Sequence, residues 1–509
     1  MRLEKVFDKL IKCIFILSFS WIIICLVFYS HIDYFCKKQF LVSNIYICFC
    51  TFLLLCFLKF FRKKKLIKKI AKFNNINFDK VVYFLFFVFF LIQLYIFYHI
   101  FFETGWDSGW YIIPNARAIL GSKNFNLNYY SWFPNNLMLT SFYALVLGMN
   151  ALIGIFGKGY DLMSIVLINS LLSSFSSLLV YKIGKKFLNK KYAFIGYIIS
   201  VILFVLSPWN VICYSDSLAI FIPILVFYIY ISNKINKYFK WPLIFLLGYI
   251  GYSIKPQSIM IFFAIIVITF IRKISFKNLK EMFFIFLISL VPVLIINFGL
   301  HKLYKFEGFK LDSEKQIGIT HFLMMGSNPA TDGVFYDKDV AYSISIKNKS
   351  ERSKKNINVY LKRVKKYGLI GYIKFLSKKN LVNYNDGTFA WGVEGGFYDV
   401  LKPEISKISN LFRKIFYDNG SLFKYYSSFV HFIWITTLFV ITVGSIYSLR
   451  KNKLNYNYLI LILTIIFLTV FELLFEGRAR YLYCNLPIFI LLMIYSLNYI
   501  FEGGSRNEK

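Results

Sequence analysis

The sequence has 509 residues, of which 58% are hydrophobic, 21% aromatic and 17% charged, whereas soluble domains carry about a quarter charged residues. This composition excludes an ordinary soluble globular protein, and the continuous apolar runs exclude a β-barrel, whose strands alternate apolar and polar residues. The net charge of +35 does not indicate nucleic-acid binding, because much of the Lys and Arg lies in short clusters between the apolar runs, where membrane proteins keep cytoplasmic charge.

The apolar runs predict an all-α polytopic membrane protein, because about 20 helical residues cross a hydrocarbon core about 30 Å thick. We place about twelve transmembrane helices, at residues 10–30, 40–60, 81–102, 161–182, 192–208, 211–232, 241–254, 258–272, 281–299, 427–448, 455–475 and 481–501. A further run, Leu137 to Phe156, is predicted to be an interfacial juxtamembrane helix. Counting it as a span puts Lys185 and Lys186 on the opposite side from Lys63 and Lys64.

This assignment divides the chain into four regions and places both termini in the cytoplasm. The regions are an N-terminal two-helix hairpin with a basic loop (1–80), a transmembrane core with a juxtamembrane loop at 103–160 (81–299), an extracytoplasmic subdomain (300–426) and the C-terminal transmembrane helices (427–509). For the subdomain we expect mixed helices and loops. Within it, Asn356 to Phe375 predicts a basic amphipathic helix that lies on anionic headgroups, or equally a helix with one solvated face.

The first candidate site residue is Asp107, which lies just past the predicted third span between Trp106 and Trp110. Gly105 and Gly109 make this stretch flexible, and the aromatic neighbours can desolvate a carboxylate. Such a carboxylate acts as a general base on a hydroxyl group. The alternative is an ordinary loop acid beside interfacial tryptophans.

Two further turns on the same predicted outer face carry polar residues at the membrane boundary. Tyr214 and Asp216 lie in a very short turn between two spans, where Asp216 either caps a helix or belongs to a site. Lys255, which precedes Pro256, joins two short spans and either binds a phosphate or snorkels to the interface. The break between these two spans suggests a pocket, because irregular backbone at membrane depth is tolerated where it lines a cavity or is buried in protein.

Arg478 and Arg480 lie on another predicted outer turn, against the tendency of membrane proteins to keep positive charge inside. We therefore expect them to have a specific partner. The guanidinium fork fits a phosphate or diphosphate. Headgroups or the nearby Glu472 and Glu476 are the alternative partners.

The long polar segment places aromatic residues beside Asn, Asp and Gly, a combination that suits a carbohydrate ligand and equally makes tight turns. Its candidates are His321, Asn328 and Asp386. A single His is more often structural than catalytic, and this reading stays open for His321.

Taken together, these motifs resemble the bacterial GT-C glycosyltransferases that are similar to protein O-mannosyltransferases and aminoarabinose transferases. The order of the motifs along residues 81–501 carries the resemblance. The series is Asp107, Trp132-Phe-Pro-Asn-Asn136, Tyr214-Ser-Asp216, Ile254-Lys-Pro-Gln257, Met324-Met-Gly-Ser-Asn328, Asn385-Asp-Gly-Thr-Phe-Ala-Trp391 and Arg478-Ala-Arg-Tyr481. Trp132, Tyr214 and Gln257 thereby join the secondary site candidates.

The resemblance implies a GT-C fold and inverting transfer of a sugar from a polyprenyl-phosphate carrier to a hydroxyl group, at the outer face of the plasma membrane, in cell-envelope glycan modification. Asp107 matches the general base of the family, and Lys255, Arg478 and Arg480 match contacts to the donor phosphate. Ser108 follows Asp107 where the eukaryotic mannosyltransferases have a second acid. Their acceptor preference is therefore not carried over.

The expected partners are a polyprenyl-phosphate-linked sugar, a hydroxyl-bearing glycan, lipid or protein, and the bilayer, with no nucleic acid. No cofactor and no metal ligand are assigned, and dependence on a divalent metal stays open. The alternative functions are a transporter or flippase, or a polymerase, of lipid-linked saccharides. A transporter is expected to carry polar residues near mid-membrane and repeated halves, whereas the ionisable residues here gather at one predicted face. A polymerase shares the outer arginines but does not need Asp107.

Overall fold

The computed structural model describes residues 2–29, 40–63, 77–121, 127–154, 161–273, 276–306, 311–392, 406–451 and 454–503. Across these ranges the regular secondary structure is helical and contains no β-strand, in agreement with the predicted all-α class. The helices are α1 (Arg2–Phe28), α2 (Asn44–Lys63), α3 (Phe78–Ile100), α4 (Ile113–Ile119), α5 (Leu127–Trp132), α6 (Leu137–Leu152), α7 (Met163–Phe187), α8 (Lys190–Ser200), α9 (Ser215–Leu218), α10 (Phe221–Tyr230), α11 (Lys237–Ile254), α12 (Met260–Lys273), α13 (Phe276–Phe306), α14 (Ile319–Met325), α15 (Asp337–Ser345), α16 (Lys349–Tyr384), α17 (Lys407–Phe416), α18 (Phe423–Leu449), α19 (Tyr456–Leu474) and α20 (Leu486–Glu502).

Eight of the described helical segments are long and apolar enough to cross a membrane. They are Glu4–Phe28, Asn44–Phe61, Phe78–Ile100, Met163–Phe187, Lys280–Lys302, Phe423–Leu449, Tyr456–Leu474 and Ala479–Glu502. All twelve predicted apolar runs fall on helices, but the four at 192–208, 211–232, 241–254 and 258–272 fall on α8 to α12, which are shorter or less apolar. The count of twelve spans therefore stays a prediction. The ambiguous run forms α6, of 16 residues, and its last two positions lie outside the described residues.

The two ends of the bundle differ in charge. At one end, which we call the basic end, Asp79 at the start of α3 pairs with Lys185 at 2.6 Å and Lys190 at 3.3 Å. Asn189 there caps α8 and also contacts Glu502 at the end of α20. The turns after α3, before α9, after α11 and before α20 lie at the opposite end, which we call the site end.

Three tryptophans form the centre of the bundle below the site end. The indole of Trp209 lies 5.7 Å from that of Trp391, and the two donate hydrogen bonds to the carbonyls of Thr388 and Phe416. Trp434 of α18 donates to the carbonyl of Tyr384. Because each indole has an apolar body and one N–H group, these side chains fill the core while satisfying the backbone of an irregular segment.

The N-terminal hairpin packs into the bundle rather than beside it, since α1 contacts α16, α18 and α19. Asn44 at the start of α2 donates hydrogen bonds to the carbonyl of Leu26 and to the side chain of Asn385. His431 of α18 contacts the same Asn44 at 2.8 Å. The hairpin therefore supports the segment that follows α16, a role that the sequence did not indicate.

The polar subdomain comprises the described residues 311–384 and 406–416, with helices α14 to α17. Its longest helix, α16, extends beyond the predicted range 356–375 and is broken at Gly368, whose φ of 61° interrupts the helix. The first half lies on α14, whereas the second half enters the bundle, where Ser377 accepts a hydrogen bond from Trp21 of α1. The subdomain is therefore continuous with the bundle through α16.

Candidate functional site

A tight loop after α3 carries Asp107 and is fixed to the turn before α9. Thr104 accepts a hydrogen bond from the backbone N–H of Cys213 at 2.9 Å, and the hydroxyl of buried Ser108 donates to the carbonyl of the same residue. Trp106 adopts a φ of 53°, which is strained for a non-glycine residue. At Gly109 a Cβ atom would lie 2.0 Å from the carbonyl oxygen of Thr104, so the loop requires glycine there. Gly109 therefore serves close packing, not flexibility.

Asp107 is half-buried among two phenols and one cation. Tyr214 donates to its Oδ2 atom at 3.4 Å, and Tyr129 forms a second hydrogen bond with the carboxyl group. The amide of Asn136 donates in turn to the hydroxyl of Tyr129. Burial raises the pKa of Asp107 above its ordinary value, against the opposing influence of both phenols and of Arg480. A carboxyl group in this setting is suited to accepting a proton.

A second acid, Asp216, is buried and forms ion pairs with two cations. Lys255 contacts its Oδ1 atom at 2.6 Å, and Arg480 lies 4.0 Å from its Oδ2 atom. Among the described residues, no backbone N–H group donates to either oxygen, so Asp216 does not cap α9, as one interpretation of the sequence proposed. Lys255 has the extended backbone that a following proline favours, and Pro256 thereby turns this lysine out of α11.

Aromatic rings cover the two cations. The guanidinium of Arg480 lies 4.9 Å from the ring of Trp106 and 5.9 Å from that of Tyr214, and Lys255 lies 4.4 Å from the ring of Tyr481. These contacts join the loop after α3 to the turns before α9, after α11 and before α20. We call Asp107, Asp216, Lys255 and Arg480 the ion cluster. Four turns that are distant in the sequence thus meet at one place.

Beside the ion cluster lie the side chains of Gln257, Glu472 and Asn383. Together with Asn380, which lies three residues before Asn383 on α16, we call them the buried amide cluster. Gln257 donates to Oε1 of Glu472 at 3.2 Å, and all four side chains are at most 5% exposed. Oε2 of Glu472, Oε1 of Gln257 and both polar atoms of Asn380 and Asn383 form no hydrogen bond within the described residues. Each such buried atom costs about 1–3 kcal/mol unless it finds a partner.

Lys379 lies next to this cluster and is satisfied by backbone groups. Its ammonium donates to the carbonyls of Gly326, Leu473 and Phe475, and so ties the polar subdomain to the end of α19. Burial lowers the pKa of Lys379 to about 7. This lysine fixes the end of the helix on which Glu472 lies.

Four of the predicted secondary candidates take part in contacts away from the ion cluster. Trp132 lies under the guanidinium of Arg352, and His321 contacts the hydroxyl of Ser343 at 2.8 Å. Asn328 donates to Asp339 in the subdomain. The fourth, Asp386, accepts from the backbone N–H groups of Thr388 and Ala390 and from the Thr388 hydroxyl, and thereby shapes a turn where Phe389 and Ala390 have positive φ. In these described contacts all four shape the fold.

The other predicted candidates lie in or beside the two clusters. Tyr214 contacts Asp107, and Gln257 belongs to the buried amide cluster. Arg478 is buried just before the turn that carries Arg480, and its carbonyl accepts from the N–H of Tyr481. Among the residues that the structure describes, no three His, Cys, Asp or Glu side chains are grouped as metal ligands.

Sequence reasoning did not single out Tyr129 or Glu472 as site residues. Tyr129 lies in an aromatic stretch without any local signal, and only the fold brings its hydroxyl to Asp107. Glu472 did have a signal, because it is the only ionisable acid or base in the apolar helix α19. Ionisable residues in such helices are costly and usually have a function.

The chain matches, over residues 3–501, the family described as conserved hypothetical integral membrane protein, and it belongs to that family. No curated protein and no solved structure matches the chain. The match covers almost the whole sequence, including the N-terminal hairpin, the polar subdomain and both clusters. The protein is therefore an integral membrane protein, in agreement with the apolar helices of the structure.

Proposed function

We propose that this integral membrane protein is a GT-C type glycosyltransferase that moves a sugar from a polyprenyl-phosphate carrier to a hydroxyl group at the outer face of the membrane. The observation that carries the proposal is the ion cluster, in which Asp107 and Asp216 lie with Lys255 and Arg480. It combines a carboxylate that can take a proton with two cations that can hold a phosphate. Such a transfer needs both functions.

In the proposed step, the oxygen of the acceptor hydroxyl attacks the anomeric carbon of the donor sugar. The bond between that carbon and the phosphate oxygen breaks, and the phosphate leaves with the electron pair. The hydroxyl proton moves to Asp107, while Lys255 and Arg480 stabilise the charge on the departing phosphate. Attack and departure occur on opposite sides of one carbon, so its configuration inverts.

A single base suffices for this step, which agrees with the residue that follows Asp107. Ser108 occupies the position of the second acid in the eukaryotic mannosyltransferases. Its hydroxyl group donates a hydrogen bond to the carbonyl of Cys213. Asp216 has a different role in the proposal. It holds Lys255 and Arg480 in place until a phosphate takes over part of their charge.

The distribution of charge supports a site that faces outward. Lys185, Lys190 and the neighbouring basic residues lie at the basic end of the bundle, opposite the ion cluster. Because positive loops of membrane proteins stay in the cytoplasm, the site end is then extracytoplasmic and both termini are cytoplasmic. A polyprenyl carrier presents its phosphate at the depth where the turns of the site end meet.

The test is transfer from a polyprenyl-phosphate sugar by the purified full-length protein in lipid nanodiscs. The Asp107→Asn variant is expected to lose transfer by at least about 100-fold, with an unchanged melting temperature. The matched control is Glu103→Gln, because Glu103 is a half-buried acid of the same loop. Full turnover by Asp107→Asn removes the assignment of the base.

The same assay separates transfer from the alternative functions. Transfer releases one polyprenyl phosphate for each glycoside formed. A flippase moves the intact lipid-linked sugar across the bilayer and releases no carrier. A polymerase releases the carrier of the incoming unit but leaves its product on a second carrier. Carrier release with a product that is free of the carrier, both of which stop in Asp107→Asn, supports transfer to a separate acceptor.

A further inference from the structure

The buried amide cluster contains hydrogen-bonding capacity that the fold does not use. The amides of Asn380 and Asn383 on α16 leave both their donor and their acceptor atoms without a hydrogen bond among the described residues. Oε2 of Glu472 and Oε1 of Gln257 are in the same condition. All four side chains are more than nine-tenths buried, and buried polar groups are normally paired.

The fold does satisfy the neighbouring charge, so the amides are not left over from loose packing. Lys379 immediately precedes Asn380 on α16, and its ammonium group donates hydrogen bonds to three carbonyl groups. Close contacts surround the same place, because a Cβ atom on Gly477 would lie 2.8 Å from Oδ1 of Asn383 and 3.0 Å from the carbonyl oxygen of Glu472. Asn383 and the end of the helix that carries Glu472 therefore meet at Gly477, and the unused hydrogen-bonding capacity belongs to the amide and carboxyl groups.

The cluster adjoins the proposed phosphate contacts. Gln257 follows Lys255 by two residues, in the turn that Pro256 begins. Through its hydrogen bond, Gln257 links that turn to Glu472, which also interacts electrostatically with both Lys255 and Lys379. A sugar attached to a phosphate at Lys255 therefore has hydrogen-bonding side chains within reach.

We infer that the buried amide cluster is the subsite for the hydroxyl groups of the transferred sugar. This inference rests on the proposed function and adds the residues that recognise the sugar. A hydroxyl group is both a hydrogen-bond donor and an acceptor, and an amide side chain offers an acceptor and a donor to match it. Oε2 of Glu472 can accept a hydrogen bond from a further hydroxyl group. The phosphate contacts Lys255, the anomeric carbon faces Asp107, and the remote hydroxyls contact Gln257, Asn383 and Glu472. The ligand class is a neutral sugar with several free hydroxyls.

The experiment compares the binding of two probes to the full-length protein in nanodiscs. One is bare polyprenyl phosphate, and the other is polyprenyl phosphate that carries glucose, mannose or galactose. The variants are Asn383→Leu and Asn380→Leu, which keep the number and branching of the side-chain heavy atoms and remove the hydrogen-bonding groups. The matched control is Asn498→Leu, because Asn498 is a buried amide with an unpaired nitrogen near the basic end of α20.

Wild-type protein is expected to bind at least one loaded carrier more tightly than the bare carrier. Asn383→Leu and Asn380→Leu are each expected to lower the affinity for that loaded carrier about tenfold and to leave the affinity for the bare carrier unchanged. Their melting temperatures should not fall, because an unpaired buried amide is replaced by an apolar group. If one variant does not fold, the other still provides the comparison.

Three results would overturn the inference. If the wild-type preference for a loaded carrier persists in both variants, the cluster does not bind the sugar, while the proposed function stands. If Asn498→Leu removes the preference equally, the effect is not local to the cluster. If the wild-type protein binds neither probe, the proposed function fails together with the inference.

Discussion

Buried charges occur in two regions of this molecule, the polar subdomain and the ion cluster, and they are satisfied in different ways. In the subdomain, Arg352 donates to five carbonyl groups, and Arg363 forms a bidentate pair with Asp339, which also accepts from Asn328. In the ion cluster, Asp216 contacts Lys255 and Arg480, yet its oxygens accept no hydrogen bond from a neutral group among the described residues.

The difference indicates which charges hold the fold and which are available to a ligand. A buried charge whose bonds are all supplied by the protein is strongly destabilising to remove, because its partners are left unpaired. A charge with incomplete bonds can exchange one partner for another at lower cost. We therefore interpret the subdomain network as structural and the ion cluster as the place where a charged ligand binds.

The largest effect is expected from removing the central ion pair. Asp216→Asn combined with Lys255→Met removes one charge of each sign and leaves Arg480 with Asp107, so the melting temperature is expected to change by only a few degrees. Loss of the phosphate contact is expected to lower transfer by about 10²–10³-fold. The measurements are initial rates with a polyprenyl-phosphate sugar and thermal melts in the same nanodiscs. Wild-type rates in the double variant would contradict the proposed role of Lys255.

The reverse pattern is expected for Arg352 of the subdomain. Arg352→Met leaves five carbonyl groups without their donor and is expected to destabilise the protein by about 3 kcal/mol. The fraction that stays folded should transfer sugar at the wild-type rate. Denaturation curves and rates normalised to folded protein measure both quantities. A wild-type melting temperature together with lost transfer would place Arg352 in the site and would contradict the distinction between the two regions.

A smaller effect is expected from Tyr129, whose hydrogen bond to Asp107 lowers the pKa of that carboxyl group. Tyr129→Phe removes the bond, so the pKa of Asp107 rises further. A base acts when it is deprotonated, and its activity is lost as the pH falls through its pKa. The acid limb of the pH profile should therefore move to higher pH, with the largest loss of rate on the acid side of the profile. The corresponding control is Tyr130→Phe, which should leave the acid limb in place.

The smallest effect concerns His321, whose pKa burial lowers to about 4. An unfolded His has a pKa of about 6.5, so between these two values the unfolded chain binds more protons and acid reduces stability. Protonation of the unfolded chain should cost roughly 0.7 kcal/mol between pH 7 and pH 6. His321→Asn is expected to flatten this slope in thermal melts and to leave the pH profile of transfer unchanged. A shifted activity profile would instead assign His321 to the site.

Much of the fold could be predicted from the sequence, because a helix that crosses a membrane needs a long apolar run. All twelve predicted runs fall on helices, and the turns chosen for Asp107, Asp216, Lys255 and Arg480 do meet. Charged residues at the ends of apolar runs are few, and each stands out. Their proximity follows from helices that return repeatedly to the same end of one bundle.

The rest of the site was less accessible because it depends on contacts between distant segments. No local pattern distinguishes Asp386, whose oxygens shape a turn, from an Asp that binds a ligand. The same holds for Asn328 in the subdomain and Asn383 in the buried amide cluster. The break in α16 was missed for another reason: an amphipathic pattern continues across Gly368, although the backbone there does not remain helical.

The ion cluster has one consequence for how a substrate is captured. Asp107 and Asp216 carry two negative charges when ionised, and Lys255 and Arg480 carry two positive ones, so the four groups sum to zero. A neutral set of charges produces little field beyond a Debye length and does not steer anions from solution. A donor with a long prenyl chain does not need such steering, because the chain already concentrates it in the bilayer. Encounter with the proposed donor then depends on two-dimensional diffusion of the lipid, and the ion cluster itself should add little dependence on ionic strength.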